Sequence, residues 1–182
     1  MYKRQFQTRQ AYQYAKPDGA GQFTYVQQGE QKNTGLELSA NGWATDRLQI
    51  ATSVAAIRAR VNNSGTPDYE GHQALNVPKL RASLYADYAL PWMNGLAVLG
   101  GVQYSAKKYA DRTGNVQVGD YAVVNVGSRY TTKIDGYETV FRLSVDNLFD
   151  KRYWRDAGEY LGDDYLFQGA PLTARLSASV NF

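Results

Sequence analysis

The sequence contains no cysteine and a single histidine in 182 residues. The absence of cysteine excludes disulfide frameworks and thiolate metal sites, and it fits an oxidising compartment in which free thiols are a liability. One histidine, His72, cannot build a metal centre of several histidines. The composition therefore predicts no resident metal.

Long apolar runs are also absent. The longest comparable stretch, Leu96 to Val102, is far too short to cross a membrane as a helix. The opening residues, MYKRQFQTRQ, lack the apolar segment of a secretion signal. We therefore expect the chain to be a piece of a longer protein.

Positive charge is present but not concentrated. The net charge is +3 and the isoelectric point is about 9.0, from lysines and arginines scattered along the chain. Nucleic-acid binding needs a clustered basic face. We expect no nucleic-acid partner.

Residues 168–182 end the chain with a strict alternation of side chains. The even positions are apolar and the odd ones polar: Leu172, Ala174, Leu176, Ala178, Val180 and Phe182 against Thr173, Arg175, Ser177, Ser179 and Asn181. Successive side chains of a strand point to opposite faces, so one face of this strand is apolar. Such a strand would aggregate at an open edge in water, whereas a barrel in lipid needs it. The pattern indicates the bacterial outer membrane.

The same period of two recurs along the chain and predicts an all-β, antiparallel meander of about eight long strands. The predicted strands cover residues 1–15, 22–30, 36–43, 48–60, 80–90, 96–111, 122–130, 139–146 and 172–182. Gly100 and Gly101 predict a bend or bulge. Strands of about 15 residues reach roughly 50 Å and must project beyond the bilayer.

Short and long connections alternate between these strands. Tight turns are predicted at 45–47, 91–95 and 133–138, a brief connection at 112–116, and long loops at 62–78 and 155–167. Outer-membrane barrels have short periplasmic turns and longer external loops. The alternation therefore predicts that the tight-turn end of the sheet faces the periplasm and the loop end faces the cell exterior.

Aromatic residues are abundant, with fifteen Tyr, three Trp and six Phe. Amphipathic rings suit the boundary between water and lipid. Two belts are predicted, with Trp43, Tyr88, Trp92, Tyr137 and Phe182 at the tight-turn end and Tyr104, Tyr109, Tyr153 and Trp154 at the loop end. A soluble β-sandwich is the alternative, but its outer face should be rich in charge, and the polar faces here are mostly Ser, Thr, Asn, Gln and Tyr.

A motif follows the strand that ends at Asp146. It consists of Asn147, Leu148, Phe149, Asp150, Lys151, Arg152 and Tyr153, followed by Trp154. It resembles the NLFDKxY signature of TonB-dependent outer-membrane receptors, especially siderophore receptors. Three weaker matches follow the family's order: Gly35-Leu36-Glu37-Leu38 after Gly29, Asn76-Val77-Pro78, and Gly169-Ala170-Pro171.

The resemblance spans Phe23 to Phe182, with two departures. Asn125 stands where the family commonly has Asp, and no cysteine pair lies between Trp154 and Gly169. The resemblance implies that residues 1–182 are the C-terminal portion, about the last third, of a transmembrane barrel of roughly 22 strands. The N-terminal plug domain and the TonB-binding segment are absent from this sequence. Phe182 would be the terminal residue that closes the barrel.

The resemblance also implies the function. A complete receptor captures a ferric siderophore, and energy delivered through the TonB complex rearranges its plug to admit the cargo. Iron is then cargo in a siderophore, no cofactor is covalently bound, and no enzymatic activity is expected. The implied partners are the siderophore, the receptor's own plug, the TonB complex and outer-membrane lipid.

Two sets of candidate residues follow. For the wall that faces the plug, the polar face offers Glu37, Arg81, Asp87, Arg129, Arg142, Asp146 and Arg175, which could equally pair with one another across strands. For cargo, the external loops offer aromatic surfaces and one fixed positive charge in Tyr69, His72, Trp154, Arg155, Tyr160 and Tyr165.

Two other functions remain open. One is a receptor of the same architecture for haem, cobalamin or an oligosaccharide. The other is a small eight-stranded barrel with a structural or adhesive role, complete as it stands.

Overall fold

A computed structural model describes residues 1–161 and 163–182, which are almost entirely strands and connections. The strands are β1 (Tyr2–Pro17), β2 (Phe23–Thr45), β3 (Leu48–Asn62), β4 (Leu80–Ala89), β5 (Leu96–Ser105), β6 (Lys108–Tyr109), β7 (Gln117–Val118), β8 (Tyr121–Ile134), β9 (Tyr137–Asp146), β10 (Trp154–Tyr160), β11 (Asp163–Gln168) and β12 (Thr173–Asn181). A short 3-10 helix covers Pro67–Tyr69.

Eight of these strands form one antiparallel sheet in the order β1-β2-β3-β4-β5-β8-β9-β12. Each strand pairs with its neighbour along the chain, apart from two small hairpins, β6-β7 and β10-β11, that lie outside the sheet. The predicted all-β meander of about eight strands is therefore confirmed. Within the described residues β1 and β12 are the two edges and do not pair, so the sheet is not a closed eight-stranded barrel.

The tight turns gather at one end of the sheet, as predicted. Between β8 and β9, Asp135 and Gly136 both have positive φ, 52° and 87°. Two such residues form the hairpin turn whose twist matches its flanking strands. The connections at the other end span residues 18–22, 63–79, 106–120 and 147–172.

Alternation gives the sheet an apolar outer face. Leu38, Val54, Leu84, Val98, Leu143 and Leu176 project from it and are exposed, Leu176 to 78%. Large aliphatic side chains in one continuous exposed band fit lipid rather than water. The opposite, inner face carries polar rungs such as Ser53, Ser83 and Gln103, which lie side by side on β3, β4 and β5.

Three details differ from the sequence prediction. Residues 22–30 and 36–43 belong to one strand, β2, whose 23 residues span roughly 70 Å. The strand predicted over 96–111 leaves the sheet at Ser105, and the brief connection predicted at 112–116 belongs to a 106–120 excursion containing β6 and β7. The loop predicted at 155–167 is the β10-β11 hairpin, of which Gly162 lies outside the described residues.

The expected bulge at Gly100 and Gly101 is wrong. Both residues stay in continuous register with β4 and β8. A Cβ on Gly101 would lie 3.2 Å from the Tyr85 ring on β4. The missing side chain therefore makes room for a neighbouring aromatic ring instead of bending the strand.

Among the described residues, no helix is long and apolar enough to cross a membrane.

Candidate functional site

Packed connections cover the loop end of the sheet. We define the loop layer as residues 63–79, 106–120 and, apart from Gly162, 154–168. These segments share one buried apolar cluster, formed by Ala110, Val118 and Ala157 with Leu75 packed against it. The layer is thus a folded unit that brings together segments distant in sequence.

Asn76 joins all three segments of the loop layer. Its backbone N–H donates to the Tyr109 carbonyl over 3.0 Å, and its Oδ1 accepts from the Ala157 N–H over 3.1 Å. Its Nδ2 also donates to Asp156 over 3.4 Å. This asparagine belongs to the Asn76-Val77-Pro78 match, so that motif has a positioning role here.

Aromatic residues anchor the layer to the first strand. Tyr14 of β1 is 1% exposed, and its ring meets that of Tyr69 edge to face at 5.4 Å between centroids. The Tyr14 hydroxyl donates to the Ser64 carbonyl over 2.9 Å. Burial in this cluster raises the pKa of Tyr69. Tyr69, predicted as a cargo residue, therefore packs against a buried cluster formed mainly by β1 and β3.

Arg112 forms a second anchor. Its Nη1 donates to the Tyr12 hydroxyl over 2.8 Å, and its Nε bonds Glu159 of the β10-β11 hairpin. Burial disfavours the charge of Arg112, but the bond to Tyr12 and the carboxylate of Glu159 outweigh it and raise the pKa. The guanidinium thus stays charged and holds the hairpin against β1.

The base of the hairpin overhangs the inner face of the sheet. A hollow of about 640 Å³ lies there, lined by residues including Ser53, Arg81, Gln103, Tyr121, Arg155 and Asp156. Arg155 pairs with Asp156 over 2.7 Å, and this hydrogen bond lowers the pKa of Asp156. Lys108, whose pKa is lowered by burial, donates to the Arg155 carbonyl. Two arginines, Arg81 and Arg155, and one aspartate, Asp156, line the hollow, so it carries more positive than negative charge.

The structure distributes the six predicted cargo residues over the loop layer. Trp154, Arg155, Tyr160 and Tyr165 lie on the β10-β11 hairpin, and Tyr160 is 70% exposed. His72 packs beside Gly114, where an added Cβ would lie 2.7 Å from its Nδ1.

The six side chains do not gather in one cluster. Tyr165 instead meets Phe167 at 5.2 Å between ring centroids, and sequence reasoning missed Phe167. Their i, i+2 spacing was the available signal, because alternate residues of a strand share a face.

The seven predicted wall residues share the inner face. By register, Glu37, Arg81, Asp87, Arg129, Arg142, Asp146 and Arg175 all project to the same side. Asp87 receives two hydrogen bonds from Arg129, over 2.8 and 3.3 Å, and Asp146 pairs with Arg175. Arg142 lies directly opposite Arg129. The opposite charges therefore neutralise each other within each of these two pairs, whereas Arg142 lies opposite another positive charge.

The motif that starts at Asn147 is a turn that connects three parts of the chain. Asn147 is 2% exposed and has a φ of 51°. Its Nδ2 donates to the carbonyls of Lys151 and Ala170, each over 2.9 Å, and its Oδ1 accepts from the Lys151 N–H over 2.8 Å. Asn125, the departure noted above, accepts from the Asn147 N–H over 2.9 Å. An oxygen acceptor is all this contact needs, so Asn serves as Asp would.

The rest of the motif fixes the entry to β12. Asp150 accepts from the Leu172 N–H over 3.0 Å. Tyr153 stacks against Tyr121 at 4.2 Å between centroids and lies over Gly169, where a Cβ would approach its ring to 2.0 Å. Gly169 is therefore required by the ring of the motif tyrosine.

Trp92, Tyr137 and Phe182, predicted for the aromatic belt at the tight-turn end, are exposed. Trp43 is exposed too, but it pairs with Gln49, the neighbour of Asp87, and by register lies on the inner face instead of the predicted outer belt. The Tyr137 and Phe182 rings meet at 5.7 Å between centroids. Within the described part of the chain, no three His, Cys, Asp or Glu side chains gather as a metal site.

Comparison with protein families gives a match over residues 2–148. The matching family is described as TonB dependent receptor-like, beta-barrel.

Curated relatives include the ferrichrome receptor FcuA of Yersinia enterocolitica, 25% identical over 154 residues, with 85% of this chain and 20% of the relative covered. The ferrichrome outer membrane transporter/phage receptor of Escherichia coli is 31% identical over 140 residues, covering 75% and 18%. The chain spans about a fifth of the length of these relatives.

Solved structures give the same fold. The ferric preacinetobactin receptor BauA of Acinetobacter baumannii superposes with a TM-score of 0.81 at 28% identity, covering 98% of this chain and 26% of that one. The siderophore receptor PiuA of the same species gives 0.76 at 30% identity, covering 98% and 25%.

Proposed function

Because the chain belongs to the TonB-dependent receptor β-barrel family, we propose that it is part of a receptor for the energy-coupled uptake of ferric siderophores. Relatives in this family lie in the bacterial outer membrane, and the apolar outer face places this sheet there too. Residues 1–182 would form the C-terminal portion of its barrel. The plug and the TonB-binding segment would belong to the rest of the receptor.

The observation that carries this proposal is the position of the loop layer. It covers the loop end of the polar inner face and carries Arg155 and exposed aromatic rings on the β10-β11 hairpin. Flat rings and a cation are the groups that contact an anionic iron chelate. Iron would enter as cargo within its siderophore, and the receptor would perform no enzymatic reaction.

The polar inner face is consistent with a plug domain as the second proposed partner. A folded domain inside the barrel needs hydrogen-bonding groups along the wall. The seven wall residues supply them, and Arg142, which faces Arg129, has most to gain from an acidic group on the plug.

The test uses the complete receptor. Trp154→Ala and Tyr160→Ala together should weaken binding of the cognate ferric siderophore about tenfold, because stacked aromatic rings supply a large share of binding energy. Trp92→Ala is the matched control, since this exposed tryptophan lies in a turn at the other end of the sheet. Affinity would be measured by fluorescence quenching and uptake with radioactive iron.

Unchanged affinity in the double variant would remove the two rings from the site. Absence of iron uptake by the intact receptor with any ferric siderophore would contradict the function itself.

A further inference from the structure

The outer face of β3 changes character within two residues. From Leu48 to Ala56 its outward side chains are mostly apolar, a length of about nine residues that suits a tilted membrane-spanning strand. The next outward residues are Arg58 and Arg60. These arginines therefore lie at the loop end of the apolar band, at the level of lipid headgroups.

Strand β2 adds a third cation at the same level. Lys32 is the direct neighbour of Arg60, and Thr34 is the neighbour of Arg58. We define the basic cluster as Lys32, Arg58 and Arg60. Like charges placed opposite each other on one face of a sheet are destabilising unless an anion lies between them.

The basic cluster is not neutralised by the protein. The nearest carboxylate along β2, Glu30, pairs with Arg9 at 3.7 Å. Within residues 1–161 and 163–182, no salt bridge involves a member of the cluster.

Two adjoining hollows open at the basic cluster, of about 400 and 360 Å³. Thr34, Arg58 and Arg60 line both of them. The Arg60 Nε is buried and has no hydrogen-bond partner within the described structure. A buried N–H without an acceptor costs free energy. An acceptor from outside the chain that bonds the Arg60 Nε–H would remove this cost.

We propose that the basic cluster binds the phosphate group of a lipid in the outer leaflet. Arg58 and Arg60 supply forked donors that match phosphate oxygens, Lys32 supplies a point charge, and the Thr34 hydroxyl supplies a neutral donor. The acyl chains of the lipid would lie along the apolar band from Ala56 toward Leu48.

The location favours a lipid over other anions. Cargo and plug act on the inner face, whereas the basic cluster lies on the outer face beside the hydrocarbon layer. The site is thus independent of the transported cargo.

The experiment measures lipid retention by the complete receptor in detergent. Native mass spectrometry would compare phosphatidic acid, whose phosphate is an exposed monoester, with phosphatidylcholine. We expect the receptor to retain phosphatidic acid preferentially, and Arg58→Gln with Arg60→Gln to lower its affinity about tenfold or more. The control is Arg4→Gln, which alters an arginine on the inner face, opposite Glu37.

Correct folding of each variant would be checked by heat-modifiable gel mobility. If the double variant does not fold, Lys32→Gln decides, with a smaller loss of phosphatidic acid expected. Equal retention of the two lipids, or an unchanged preference in the folded variants, would overturn the proposal. Displacement of phosphatidic acid by millimolar inorganic phosphate would also overturn it, by identifying a site for free anions.

Discussion

The wall and the loop layer are stabilised by different interactions. In the eight-stranded sheet that forms the wall, continuous backbone hydrogen bonds join neighbouring strands. The side chains mainly make one face apolar, toward lipid, and the other polar, toward water. In the loop layer, individual side chains such as Asn76 and Arg112 connect segments far apart in sequence. The effect of a substitution on stability should therefore depend, in the wall, on which face of the sheet it changes. In the loop layer it should depend on which hydrogen bond it removes.

The largest expected effect contrasts the two faces of β12. Leu176→Arg places a charge on the lipid face and should destabilise the complete receptor by about 2–4 kcal/mol if position 176 lies near the bilayer midplane. Ser179→Arg, on the inner face and opposite the uncharged Val140, should cost much less. Thermal unfolding in lipid bilayers would measure both, and equal destabilisation would contradict the assignment of the faces.

A second effect concerns the joint between wall and loop layer. Asn147→Ala removes three side-chain hydrogen bonds from a buried position and should cost about 2–3 kcal/mol. The matched control is Asn181→Ala, which removes one exposed bond to Glu138. Denaturant unfolding would compare them, and a similar cost for both would show that the motif turn is not a joint.

The smallest effect is a selective loosening of the loop layer in acid. Hydrogen bonds from Ser64 lower the pKa of Glu70, and the bond from Arg155 lowers that of Asp156. A carboxylate whose pKa is lower in the folded state than in the unfolded state stabilises the fold at pH values above the unfolded pKa. This stabilisation is lost as the pH falls through the folded-state pKa. The loss should therefore occur below about pH 4, near and beneath the ordinary carboxyl values.

Hydrogen exchange would follow this loosening, with faster exchange expected at residues 63–79 while the β3-β4 ladder stays protected. The control variant Glu70→Gln should loosen the same segment at neutral pH. Uniform acid loosening of wall and loops would contradict the contrast.

The same contrast explains what sequence alone could predict. The alternation of Leu176 with Ser177 and the Asp135-Gly136 turn are local signals, because period and turn chemistry need only neighbouring residues. The predicted apolar band and tight turns are therefore confirmed, whereas contact between the seven wall residues and a plug stays a prediction.

The features that local signals do not show depend on distant partners. Nothing near Tyr69 in sequence reveals that Tyr14 will meet its ring. Lys108 leaves the sheet to bond the Arg155 carbonyl, and Gly101 is explained by Tyr85 on the adjacent strand. The adjacent acids Asp163 and Asp164 favour a loop, whereas β11 is a strand because it pairs with β10.

The Asn147 turn fixes the position of β12 independently of the β10-β11 hairpin that precedes it. Because the asparagine side chain grips the backbone at Lys151 and Ala170, the chain leaves and re-enters the wall at fixed points whatever lies between them. Segments of different length and sequence can be exchanged there without altering the register of β12. The loop layer can thus vary while β12 keeps its pairing with β9.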